Sequence, residues 1–200
     1  QIVDVMNTLG LDFITFGNHE FDLAEESFLA RLRESGFDWI SANVFNRDLE
    51  PFPGVAPARV LTLRDEEGRD VRLGLFGLTV AANRKEYVRY TDPLEAAASQ
   101  VATLRDRVDV LIALTHLPVE MDIALAATVP GIDLIIGGHE HENLLLRRGP
   151  DFVPISKADA NARTVYVHRL VVDPESREVE IRSDLVRVTD QFPEDPETAA

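Results

Sequence analysis

The sequence predicts an α/β fold, a layered sandwich that needs both parallel and antiparallel strands. Three observations carry that expectation. Short apolar runs alternate with amphipathic helical stretches up to about residue 138. Two pairs of strand-like runs are joined by polar turn sequences, the mark of antiparallel hairpins, and from Phe152 onward strand patterns follow one another with no helix between them.

Each element has its own signal. Ile2, Val5, Met6 and Leu9 recur at helical spacing and Gly10 follows as a stop. Gln1 offers neither an initiator methionine nor a helix cap, so the chain is expected to open inside a helix, incomplete at its N-terminus. Residues 12–16 (DFITF) form a strand closed by Gly17, and residues 23–32 carry a helical stripe through Phe28, Leu29 and Leu32. Residues 39–42 read as the next strand. Residues 60–64 and 71–79 flank Glu66-Glu67-Gly68-Arg69 and read as a hairpin. Asp92 before Pro93 places a capping side chain ahead of a proline at the first helical position. Residues 108–115 are a strand ending at His116, residues 119–128 a helix, and residues 132–136 a strand ending at Gly137-Gly138-His139. Residues 164–172 and 178–188 form a second hairpin through Asp173-Pro174-Glu175-Ser176. Residues 191–200 (QFPEDPETAA) hold proline and acid without apolar periodicity, as a linker or tail does, which leaves residues 1–190 as one partial domain.

A chain of 200 residues with 45% hydrophobic content can bury one sizeable core. Its formal net charge of -15 opposes a nucleic-acid backbone or an anionic membrane as main partner. A small anionic substrate stays compatible, because a bound divalent cation reverses the local field. The absence of cysteine removes disulfide frameworks, thiolate zinc sites and cysteine nucleophiles together. No apolar run approaches the roughly 20 residues of a membrane-spanning helix, and no signal peptide is visible in this segment.

Four of the five histidines, His19, His116, His139 and His141, fall just past the C-terminal end of a predicted strand, where α/β folds gather ligand sites. In Gly17-Asn18-His19-Glu20-Phe21-Asp22 the Asn18 amide oxygen suits a hard cation. Asp22 lies three residues after His19, on the same face if a helix begins there. A carboxylate so placed orients one imidazole and favours its protonated form, although Asp22 also fits a first-turn helix acid, and Glu20 reads as solvated. In Gly137-Gly138-His139-Glu140-His141 the two rings point to one side of an extended loop, as ligands of adjacent metals would. On this reading Asn18, His116, His139 and His141 converge on one edge, whereas His168, inside an alternating strand, stands elsewhere.

GNHEFD, the THLP segment and GGHEH, in that order, resemble three sequence blocks of the calcineurin-like metallophosphoesterases, and specifically the 5'-nucleotidase family; MNTLGLDFITFGNHEFD, SANVF and PISKADANARTVYVHRL resemble it too. The resemblance implies an α/β/β/α sandwich of mixed sheets and two divalent metal ions. Asn18, His116 and His139 would bind one ion and His141 the other, while His19 and Asp22 match the family's catalytic dyad. The family's upstream Asp-x-His and Gly-Asp blocks are missing from this sequence. So is the C-terminal substrate domain that follows in the family. Periplasmic or secreted localisation is implied on the same ground.

Two ions roughly 3.5–4 Å apart can hold ester oxygens, generate a bound hydroxide and neutralise transition-state charge, so that water attacks phosphorus directly. Mixed nitrogen and oxygen donors admit zinc, manganese, iron or cobalt. The expected reaction of the parent protein is hydrolysis of phosphate esters, chiefly nucleoside 5'-monophosphates. Two alternatives stay open: the same metal core acting on cyclic nucleotides, UDP-sugars or a sulfur-linked substrate, and a non-catalytic metal-binding module. The 200 residues alone, with half of the ligands, are expected to be inactive.

Overall fold

The computed structural model describes residues 2–65, 67–173 and 175–196. Along them run α1 (Ile2–Thr8), β1 (Phe13–Ile14), α2 (Glu25–Glu34), β2 (Asp38–Trp39), β3 (Val44–Asn46), β4 (Ala58–Arg64), β5 (Asp70–Thr79) and β6 (Val88–Tyr90). These are followed by α3 (Pro93–Leu104), β7 (Val110–His116), α4 (Val119–Thr128), β8 (Leu134–Gly137), β9 (Leu144–Arg148), β10 (Val153–Lys157), β11 (Thr164–Val172) and β12 (Val179–Arg187).

Six strands make one mixed sheet in the order β4-β5-β7-β8-β10-β9, parallel at its inner junctions and antiparallel at both edges. The central strands β7 and β8 hold continuous apolar runs, residues 110–114 and 134–136, because both of their faces are covered. Leu111, Ala113 and Ile135 join Phe76 and Leu78 against Ala96, Ala97 and Leu104 of α3 and Leu125 and Ala126 of α4. Val110, Ile112 and Leu134 join Leu75 on the opposite face, which Phe13 of β1 and Leu170, Val172, Val179 and Ile181 of the β11–β12 hairpin cover. Successive strand residues point to opposite sides, so Ile14 turns away from the sheet. It enters a third cluster with Val3 and Met6 of α1, Phe28, Leu29 and Leu32 of α2, and the rings of Phe16, Phe21, Trp39 and Phe52. The layers therefore run helix, sheet, strand, helix, the α/β/β/α order.

Local signals account for much of this. Asp92 Oδ1 accepts hydrogen bonds from the backbone N–H of Leu94 and Glu95, at 2.8 and 3.0 Å, and so satisfies two of the donors that a helix start leaves free. Gly10 ends the first helix at φ +67°. The β4–β5 and β11–β12 hairpins form as expected, with Glu66 and Pro174 of their turns, like residues 197–200 of the tail, outside the described residues.

Where the structure departs from the sequence reading, the cause is tertiary. The strand expected over residues 12–16 pairs only at Phe13 and Ile14, parallel to Asp38 and Trp39, because Phe16 leaves the ladder to stack on Trp39 with ring centroids 4.8 Å apart. Of residues 39–42 only Trp39 lies in a regular strand, and Ile40 makes a single parallel bridge to Ala56. The short strands β3, β6 and β9 carry no separate signal in the sequence. Between the small-strand layer and the main sheet, Asn43 bonds both Thr79 N and Thr79 O through its side-chain amide, at 2.9 and 2.8 Å. Thr79 Oγ1 donates to Phe16 O at 2.8 Å. These contacts fix where the chain enters the 17–22 loop.

Candidate metal centre and acid dyad

The C-terminal ends of β1, β7 and β8 open onto one cleft of about 450 Å³, lined among others by Asn18, His19, His116, His139, His141 and Asp159. His116, the last residue of β7, and Asn18, which is 8% exposed, meet directly: Nε2–H of His116 donates to Asn18 Oδ1 at 2.9 Å. The His116 and His139 rings lie edge to face with centroids 5.2 Å apart. His139 takes φ +81°, a left-handed backbone rare for a residue with a side chain, and this sets the direction in which its ring leaves the loop. His141 lines the same cleft, and its carbonyl accepts from Ala160 N at 3.2 Å.

Burial holds His116 down at a pKa of about 4, with the neighbouring His139, Lys157 and His19 acting in the same direction. Its ring is therefore neutral at physiological pH, the form that can ligate a metal. Imidazole nitrogens and an amide oxygen are donors suited to first-row divalent ions. The residues fit part of a coordination shell. Among the described residues no three His, Asp or Glu side chains group closely enough to hold a metal ion.

The second unit sits at the mouth. His19 opens a short 3₁₀ turn, His19–Asp22, and its Nδ1–H donates to Asp22 Oδ2 at 2.7 Å, with both side chains largely exposed. Asp22 Oδ1 accepts from Asn83 Nδ2, also at 2.7 Å, so the carboxylate is held from two sides. Glu20, read from the sequence as solvated, instead accepts the Gly17 N–H at 2.6 Å and closes the turn that presents Asn18. His168 stands outside the cleft, between the hydroxyls of Ser156 at 3.2 Å and Ser183 at 2.9 Å, with Tyr166 stacked on it.

Sequence reasoning left out the groups that surround these residues. Asn83 reaches Asp22 from 61 positions away, and Asp159 ties Asn143 and Thr164 beside His141. Nothing local marks either. A buried lysine, Lys157, lies under the His139 loop, with its ammonium bonded to Glu140.

The sequence profile of the calcineurin-like phosphoesterases matches residues 3–143. The 5'-nucleotidase of Bos taurus is 26% identical over 228 aligned positions, which cover all of this chain and 39% of that protein. The 5'-nucleotidase of Vibrio cholerae is 29% identical over 174 positions, covering 74% of this chain and 29% of its own length. Among solved structures, a 5'-nucleotidase precursor from Thermus thermophilus superposes with a TM-score of 0.78 at 25% identity, over 95% of this chain and 42% of that one. The chain thus spans two fifths or less of the length of these curated relatives. With the profile matched over most of the sequence and the same layered fold beneath it, the chain belongs to the calcineurin-like phosphoesterase family.

Proposed function

We propose that the protein of which this chain is part hydrolyses phosphate monoesters, with nucleoside 5'-monophosphates as its main substrates. The observation that carries this reading is that Asn18, His19, His116, His139 and His141 line one cleft, with Asp22 hydrogen-bonded to His19. The names of the Bos taurus and Vibrio cholerae relatives support the choice of substrate. Asn18, His116 and His139 would hold one divalent ion and His141 a second. When bound, such ions neutralise phosphoryl charge and lower the pKa of a water molecule.

The chain's own part is proton handling. Asp22 occupies Nδ1 of His19, which leaves Nε2 as the nitrogen free to face a departing oxygen. Asn83 keeps Asp22 from turning away. His19 therefore acts as the oriented acid that protonates the leaving alkoxide. An exported enzyme fits this reading. Among the described residues no helix is long and apolar enough to cross a membrane.

The test uses the complete protein at saturating metal. A nucleoside alkoxide leaves poorly without a proton, whereas nitrophenolate leaves readily. His19→Asn should lower kcat/KM on a nucleoside monophosphate by roughly 10²- to 10⁴-fold and spare nitrophenyl phosphate considerably more. Asp22→Asn should show the same bias at smaller size. Equal losses on both substrates would remove the proton-donor role.

A further inference from the structure

Lys157 ends β10 at 1% exposure, in the company of core residues such as Ile155. Lysine is almost never buried this fully, because its ammonium gives up its hydration. A methionine would fill the volume without that cost, so the reason for the charge lies in what it touches. Its three N–H donors are all used. They go to the carbonyl oxygens of Leu117 and Gly138, the latter at 2.8 Å, and to Glu140 Oε2. Leu117 directly follows His116, and Gly138 and Glu140 directly flank His139. The other carboxylate oxygen of Glu140 accepts the N–H of Val119 at 2.7 Å. The segment after His116 and the loop carrying His139 are thus joined twice, through one ammonium and one carboxylate.

Two further observations fit. His139 keeps its left-handed φ of +81°, and such a conformation persists only where the surroundings over-determine it. Asp122 of α4, fully buried, lies 2.8 Å from Nζ as a counter-charge. Burial pushes its carboxyl up to about 6 even with the ammonium alongside.

We infer that Lys157 is a positioning residue: with Glu140 as its second arm and Asp122 as its buried counter-ion, it staples the His116 and His139 segments into the arrangement a metal ion would meet. The inference rests on the reading of these histidines as ligands. A lysine serving only the core would leave the loop and its metal uptake indifferent to the loss of its charge.

The experiment takes the whole 200-residue chain. Lys157→Met combined with Asp122→Asn removes both buried charges while keeping the volume, so the variant should unfold at close to the wild-type denaturant concentration. Amide hydrogen exchange of the metal-free protein should rise at least 10-fold at His139 and Glu140. The dissociation constant for Co2+, followed by its visible absorption, should rise 10- to 100-fold. Unchanged exchange in the folded variant overturns the inference, and so does a loosened loop with unchanged Co2+ affinity. If the double variant does not fold, Glu140→Gln, which lies at the rim of the cleft, should raise exchange at His139 by a smaller factor, and no rise overturns the inference. Should neither wild type nor variant take up Co2+ at any concentration, the ligand reading falls, while exchange still decides whether the staple exists.

Discussion

Gly77 offers the sharpest test of how the layers are held. It lies in β5, where the chain after β2 crosses the main sheet, and its carbonyl accepts the Ala42 N–H at 2.8 Å. A Cβ placed on it would stand 2.0 Å from the carbonyl oxygen of Ile40, and 2.7 Å from both Ile40 C and Thr15 Oγ1. Ordinary contact begins near 3.4 Å, so Gly77→Ala requires the two layers to part by more than an ångström. The obstacle is backbone and has no rotamer to change. Ile40 N is itself bonded to Ile14 O. Overpacking of this kind costs about 3 kcal/mol or more, the upper end of the usual range. Gly74→Ala, three residues earlier in the same strand, is the control. There the nearest atoms are the side-chain ends of Leu111 at 2.9 Å and Val108 at 3.1 Å, and the gain from replacing glycine in a strand offsets part of the strain. Its net effect should stay within about 1 kcal/mol. Urea denaturation at pH 7 distinguishes the two, because a loss of about 3 kcal/mol moves the midpoint by roughly 1–3 M at the slopes usual for small proteins. Equal midpoints for the two variants would refute the claim that Gly77 sets the spacing between the layers.

Three further outcomes are expected. Metal titration of the 200-residue chain should give weak binding only, in keeping with a donor set that fits part of a shell; tight stoichiometric uptake of two ions would contradict it. Asp92→Ala removes the acceptor for Leu94 N and Glu95 N and should cost about 1 kcal/mol in denaturant unfolding, with a null result pointing to compensation by water. His168 is held below its ordinary pKa by burial, so its neutral form stabilises the fold above about pH 6.5, and this stability is lost as pH falls through the folded value. The stability gap between wild type and His168→Gln should therefore narrow from pH 7.5 to pH 5, and a gap that stays constant would show that the ring titrates freely in the folded state.

The elements readable in the sequence are those whose cause is local. The α4 boundaries follow from residues 119–128 alone, the start of α3 from an aspartate before a proline, and the long hairpins from alternation and their turns. The short strands were not readable for the opposite reason. Val44–Asn46 is a strand only because Val88–Tyr90 lies beside it, more than forty residues away, and three residues carry too little pattern to show their period.

The site divides in the same way, and the division has a physical origin. His19, His116, His139 and His141 stand out as candidates because a rare side chain recurs at the same kind of place, the end of a strand, where its chemistry is usable. Their supports act through atoms that every residue shares. Two of the three acceptors of Lys157 are main-chain carbonyls, at Leu117 and Gly138, and the acceptor of Thr79 Oγ1 is the carbonyl of Phe16. Backbone acceptors carry no identity in a sequence, so nothing in the run VPISK marks its last residue as buried before the fold brings those carbonyls over it. Its burial comes from the tertiary fold, and with burial comes the role proposed for it. A charge desolvated this completely must be met by fixed partners, and the partners available at that point are the segments that carry His116 and His139.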